Sequence, residues 1–130
     1  MTKRLALLGT ALSAALVVRP DAAPAQGPTP IDGATVFKTT CATCHSITPP
    51  YKAAPPMTHV VRHYTNAGLS EDSVVTRIAA WIAAPSKEGA LMPAHAIERF
   101  GLMPAQDLPL PQRLAVARYV LTLTAQTPEP

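Results

Sequence analysis

The sequence predicts an all-α domain of about four to five helices. Apolar residues recur at helical spacing in several separated stretches, each flanked by residues that start or stop helices. No alternating run of β-branched residues is long enough to read as a strand, and no internal repeat is found. The 15 prolines gather in connecting stretches, at 23–30, 49–56 and 103–111, where a ring without an N–H interrupts helices.

The first helix is predicted to begin at Asp32, whose carboxylate can accept from free amides of the first turn, with Ile31 and Val36 placed as a hydrophobic staple. Val36, Phe37, Thr40, Cys41 and Cys44 then share one side, and the helix must unwind near His45. Residues 48–56 read as a loop, because no helix survives Pro49-Pro50 followed by Pro55-Pro56. A second helix is expected over residues 57–67, with Val60, Val61 and Tyr64 inward and Gly68 as the left-handed terminator. Ser70 caps a third, with Val74, Ile78, Trp81 and Ile82 on one stripe and Pro85 as its stop. A short helical turn over residues 94–100 precedes Gly101, and the last helix starts at Pro111, carrying Leu114, Val116, Val120, Leu121 and Leu123.

Residues 1–25 have the pattern of a secretory signal: Lys3 and Arg4, an apolar run from Leu5 to Val18, and a small-residue cleavage site at Ala23-Pro24-Ala25. The apolar run falls short of the ~20 residues needed to span a bilayer. The expected organisation is therefore a leader over 1–25 cleaved near Ala25, an extended tail over 26–31 and one domain over 32–126, exported to the periplasm without stable membrane insertion of the mature chain. Loss of Lys3, Arg4, Arg19 and Asp21 takes the charge from +3 (11 basic, 8 acidic) to +1 (8 against 7). That balance offers no nucleic-acid footprint and predicts weak electrostatic steering with low salt sensitivity.

The most specific chemistry lies in Cys41-Ala42-Thr43-Cys44-His45. This spacing is the attachment signal of a c-type haem, in which two thiols three positions apart add to the vinyl groups and the adjacent imidazole becomes the proximal iron ligand. Competing uses are weaker. A thiol oxidoreductase would show a βαβ pattern around its CxxC, and a zinc site would need more than one further ligand nearby. His59 and His63 stand one helical turn apart, a spacing that can bind metal but more often marks a surface pair.

On Cys41, Cys44 and His45 the chain resembles the class I, monohaem cytochrome c family. That family places a Gly and an aromatic residue ahead of the haem motif, on a helix that crosses a C-terminal helix bearing another aromatic; Gly33, Phe37 and Tyr119 match. The resemblance implies a small cytochrome c-like bundle around one covalently bound haem c. It also implies a second axial ligand, a Met followed by Pro shortly before the last helix. Met103-Pro104 and Met92-Pro93 compete, and Met103 is favoured because its spacing to Tyr119 is close to the family's. His95, three residues after Met92, is a further candidate in an alternative state. Many members follow the haem histidine with a Gly-Pro turn whose carbonyl accepts the imidazole proton; here residues 46–51 lack glycine, which leaves a carbonyl near Pro49 or Pro50 for that role.

The function these features imply is one-electron transfer between redox protein partners through a His/Met-ligated iron, with no catalysis of its own. Two other readings stay open: a haem subunit bound to a periplasmic dehydrogenase, for example of sulfur compounds, and a gas-binding or peroxidase-like protein with an open sixth position.

Overall fold

The computed structural model describes residues 29–125, with side chains through 123. The leader expected over 1–25 and the expected domain end at 126 lie outside the described residues. Those described form five helices and no strand.

α1 (Gly33–Val36) starts where the sequence places it. Asp32 accepts from the Ala34 amide at 3.0 Å, the Thr35 amide at 3.2 Å and the Thr35 hydroxyl at 2.6 Å. The Thr35 hydroxyl first, then the Ala34 amide, hold this carboxyl below its usual range. α1 passes without a break into a π-helical segment (Phe37–Cys41), closed by the Ala42 amide on the Phe37 carbonyl at 2.9 Å. The expected helix therefore ends at Cys41, and the Cys44 and His45 amides both turn back onto the Cys41 carbonyl. Such wide turns cost packing inside a helix and are found mostly where a functional group must be re-aimed.

α2 (Met57–Thr65) buries Met57, Val61 and Tyr64, and Gly68, at φ 69°, turns the chain after it. α3 (Glu71–Ala83) is capped by Ser70 and carries Glu71 and Asp72 in its first turn, where carboxylates oppose the helix dipole. Its buried face is wider than the predicted stripe, with Val75 and Ala79 joining Val74, Ile78 and Ile82, while Trp81 is only partly buried. α4 (Ala94–Phe100) ends at Gly101, φ 75°.

α5 (Leu110–Ala125) is the hub, packed chiefly on α3 and α1 and also on α2. Val116, Ala117, Val120 and Leu123 are its buried positions. At the α1–α5 crossing an added Cβ on Gly33 would lie 2.1 Å from the Ala115 carbonyl oxygen. Beside it, Phe37 and Tyr119 fill the crossing with ring centroids 5.7 Å apart and planes tilted by 51°.

The long loop between α4 and α5 is not loose. The Gln106 amide donates to the Ile82 carbonyl at 2.8 Å, and the Gln106 side chain donates to the Pro104 carbonyl at 2.8 Å. Arg113 donates to the Leu108 carbonyl and to the Ala79 carbonyl, each at 2.9 Å, tying loop, α5 and α3 together through charge-assisted bonds.

Candidate cofactor site

The π segment after α1, the loop that follows it, α2, α3, α4 and α5 enclose an apolar cavity of about 330 Å³. Its wall is mostly hydrocarbon, from residues such as Val60, Ile78, Ile82, Leu91, Val116 and Val120. The cavity gathers five of the residues singled out in the sequence, Cys41, Cys44, His45, Met92 and Met103. His95 does not reach it, and lines a neighbouring groove with His59 and His63. Among the described residues no group of three or more His, Cys, Asp or Glu could hold a metal ion, so the pair His59 and His63 is not part of a second metal centre built that way.

The orientation of His45 comes from the proline loop. Its Nδ1 lies 2.7 Å from the Pro55 carbonyl oxygen. A carbonyl only accepts, so Nδ1 carries the proton and Nε2 keeps the lone pair that an iron ion requires. Burial holds the imidazole below its ordinary pKa range, partly opposed by the Pro55 carbonyl. The ring is thereby neutral, as a metal ligand must be.

The acceptor is thus Pro55, not a carbonyl near Pro49 or Pro50. The physical reason is how the loop folds back on the motif. The Ser46 hydroxyl donates to the Pro50 carbonyl at 2.8 Å. The Ala54 amide donates to the Cys44 carbonyl, the Met57 amide to the Ser46 carbonyl, and the Thr58 amide to the Ile47 carbonyl, at 3.0, 2.9 and 3.0 Å. Lys52 closes the end of the π segment through the Ala42 carbonyl at 2.6 Å. These bonds bring Pro55, ten residues beyond His45, under the ring.

Because the folded state holds His45 below its unfolded value near 6.5, the unfolded chain binds the proton more readily in that window. The haem-free chain is expected to keep this contribution above pH ~6.5 and to lose it as pH falls through the folded value. Chemical denaturation at pH 7.5 and pH 5 should show a smaller pH-dependent loss in His45→Gln than in the parent chain.

No disulfide joins the two cysteines, of which Cys41 is half-buried and Cys44 exposed. Desolvation, with Cys44 adding to it, pushes the Cys41 thiol up, so it stays uncharged against the apolar wall. The two methionines differ in their support. Met103 packs against the buried core, and its loop is pinned by Gln106 and Arg113. Met92 sits between the cavity and the neighbouring groove and lines both. Its preceding loop is held more locally, by the Ser86 hydroxyl accepting from the Gly89 amide at 3.0 Å and a long 3.4 Å turn bond from Ala90 to Lys87.

Several wall residues were not picked out as site residues from the sequence. Tyr64 lines the cavity from α2, and burial pushes its phenol up to about 12 against an opposing effect of Arg77. Trp81 shares the predicted stripe with Val74 and Ile78, yet it is only partly buried and forms part of the wall.

The donor set suits a covalently held iron porphyrin. It comprises two thiols, one neutral imidazole with Nε2 available and the thioethers of Met92 and Met103, on a wall made mostly of hydrocarbon. No curated protein and no solved structure matched the chain. The family model described as Cytochrome c matched residues 31–124, from just before the Asp32 cap to the last turn of α5. A match over most of the chain, with the attachment motif, the crossed helices and the apolar cavity all inside it, places this protein in the cytochrome c family.

Proposed function

We propose that the protein is an exported, monohaem electron carrier whose iron is held by His45 and Met103. When bound, the haem supplies a site that gains and loses one electron. Cys41 and Cys44 would hold it by thioether bonds. The Pro55 carbonyl fixes the imidazole tautomer and raises its basicity as a ligand. A thioether is a soft, neutral donor that favours the ferrous ion, so the pair sets a higher potential than two histidines would. The aliphatic wall keeps water from the metal, which limits reorganisation when charge changes. Met92 is the alternative donor.

The observation that carries this reading is the convergence of Cys41, Cys44, a proton-fixed His45 and Met103 on one apolar cavity. Export completes the proposal, because the leader pattern over 1–25 delivers the chain to a compartment where c-type haem is attached. Donor and acceptor are redox proteins that meet it briefly.

The test is the optical spectrum of the haem-loaded protein in both oxidation states, with and without carbon monoxide. A low-spin spectrum with the weak far-red methionine-to-ferric band, and no rapid carbon monoxide binding by the ferrous form, is expected. Immediate binding would replace the carrier with a ligand-binding or catalytic haem protein.

A further inference from the structure

Beside the cofactor cavity lies a second concavity of about 540 Å³, walled by the proline loop, α2 and α4. The haem site uses none of the three imidazoles found there, His59, His63 and His95, and no thiol or carboxylate lines the groove. Its strongest metal donors are therefore imidazole nitrogens.

Two of these imidazoles stand on one helix. α2 turns Met57, Thr58, Val61 and Tyr64 into the protein, and that register leaves His59 and His63 exposed on the other side. Residues four apart on a helix hold their Cβ atoms about 5–6 Å from each other. Two imidazoles can close that span onto one ion, with metal–nitrogen bonds of about 2 Å. The start of the helix is held as well, since the His59 and Val60 amides donate to the Pro56 carbonyl at 3.0 and 3.1 Å. Among the described residues neither imidazole has a hydrogen-bond or ion-pair partner, so an ion breaks no bond in reaching their lone pairs.

The facing wall is fixed too. Arg99 stacks on the Tyr51 ring, 4.3 Å from its centroid, donates to the Tyr51 hydroxyl, and lies 5.3 Å from the Phe100 ring. Tyr51 meets Phe100 edge to face at 5.4 Å. This cluster locks the proline loop to α4 and engages the Arg99 guanidinium.

We propose that His59 and His63 form a chelating site for one divalent transition-metal ion, and that Cu(II) is the ion it holds. The number of donors chooses the metal. Among the described residues no third His, Cys, Asp or Glu completes a cluster with the pair, whereas zinc sites draw on three or four protein ligands. Two imidazoles, with water in the remaining positions, match the tetragonal nitrogen and oxygen geometry of Cu(II). That ion also binds such donors more tightly than the other divalent first-row metals. Calcium and magnesium need hard oxygen ligands, which a groove without carboxylates does not offer. Arg62, one position before His63, places a positive charge beside the site and holds its affinity down. The pair shares no residue with the iron ligands, so the site goes beyond the electron-carrier reading and does not depend on it.

The test is calorimetric titration of the haem-loaded ferric protein with cupric ion, followed by electron paramagnetic resonance of the product. One tight equivalent is expected, with a tetragonal cupric signal split by imidazole nitrogens. Zinc should bind more weakly. His59→Gln with His63→Gln should lower the cupric affinity by about 100-fold or more, above the range that loss of an outer-shell partner produces. His95→Gln, on the facing wall, should change it little, and Arg62→Ala should tighten it. All four substituted positions are exposed, and an unchanged haem spectrum shows that each variant is folded.

A tight equivalent that survives loss of both histidines, or a cupric signal without imidazole nitrogen splitting, would overturn the proposal. Weaker cupric binding in Arg62→Ala, with inorganic phosphate binding the parent protein and lost in that variant, would overturn it in favour of an anion site. None of these results bears on the ligands of the haem iron, which the carbon monoxide and optical measurements decide separately.

Discussion

Gly33→Ala is expected to destabilise the protein, although in an exposed helix the same change stabilises by about 1 kcal/mol. The added methyl would stand 2.1 Å from the Ala115 carbonyl oxygen, 2.7 Å from its carbon and 2.9 Å from the Tyr119 Cβ. Two of these three atoms are main chain inside α5, so no rotamer change makes room. α1 must move away from α5 by about 1 Å to reach ordinary contact. That movement opens the Phe37–Tyr119 ring contact and lifts the start of the segment that ends at Cys41. Overpacking of this kind typically costs about 1–3 kcal/mol and occasionally more. The upper end is expected here, a large part of the ~5–15 kcal/mol that holds a domain of this size. Urea denaturation of the haem-loaded protein measures it. Trimming Ala115 to Gly should give no rescue, because the clash is with its carbonyl and not with its methyl. A Gly33→Ala midpoint equal to or above that of the parent protein would show that the two helices do not cross as closely as described.

The helical plan was legible because each boundary has a local chemical cause. Asp32 and Ser70 offer oxygens to free amides, and Gly68 and Gly101 adopt positive φ where α2 and α4 have ended. The Gly33, Phe37 and Tyr119 crossing was legible through the family resemblance, and the packing found there supplies its physical reason. The His45 acceptor was not legible, because a main-chain carbonyl has no residue-type signature; only the folded path of residues 46–56 decides that it comes from Pro55. The π segment was hidden for a similar reason, since a single widened turn leaves the apolar pattern almost unchanged. His59 and His63 could be paired from their spacing on one helix, but His95 could not be placed near them, since it lies on α4 across the groove. The anchoring of the Met103 loop also depends on distant partners: Arg113 reaches Ala79, 34 positions away.

That anchoring leads to the second large effect. Met103→Ala is expected to remove the sixth ligand, and Met92→Ala to leave it in place. Both methionines line the cavity, so proximity alone does not choose between them. Support does. A neutral thioether is a weak donor that holds ferric iron only if its backbone is already positioned, because ordering a free loop costs about 1–2 kcal/mol per residue fixed. The Met103 loop has met that cost through Gln106 to Ile82 and Arg113 to Leu108 and Ala79, independently of any metal. Met92, shared between cavity and groove, has no equivalent anchor to α3. In Met103→Ala the far-red band should vanish, carbon monoxide should bind the ferrous protein rapidly, and the reduction potential should fall by on the order of 0.1 V or more, within the ~0.8 V range that axial ligands span. In Met92→Ala the band should persist and the potential should change little. The opposite pattern would transfer the ligand to Met92. Arg113→Met offers a graded case, since it keeps the thioether and removes two bonds that hold its loop. The band should remain while the ferrous protein gains a measurable rate of carbon monoxide binding, because the loop then opens more often without losing its donor.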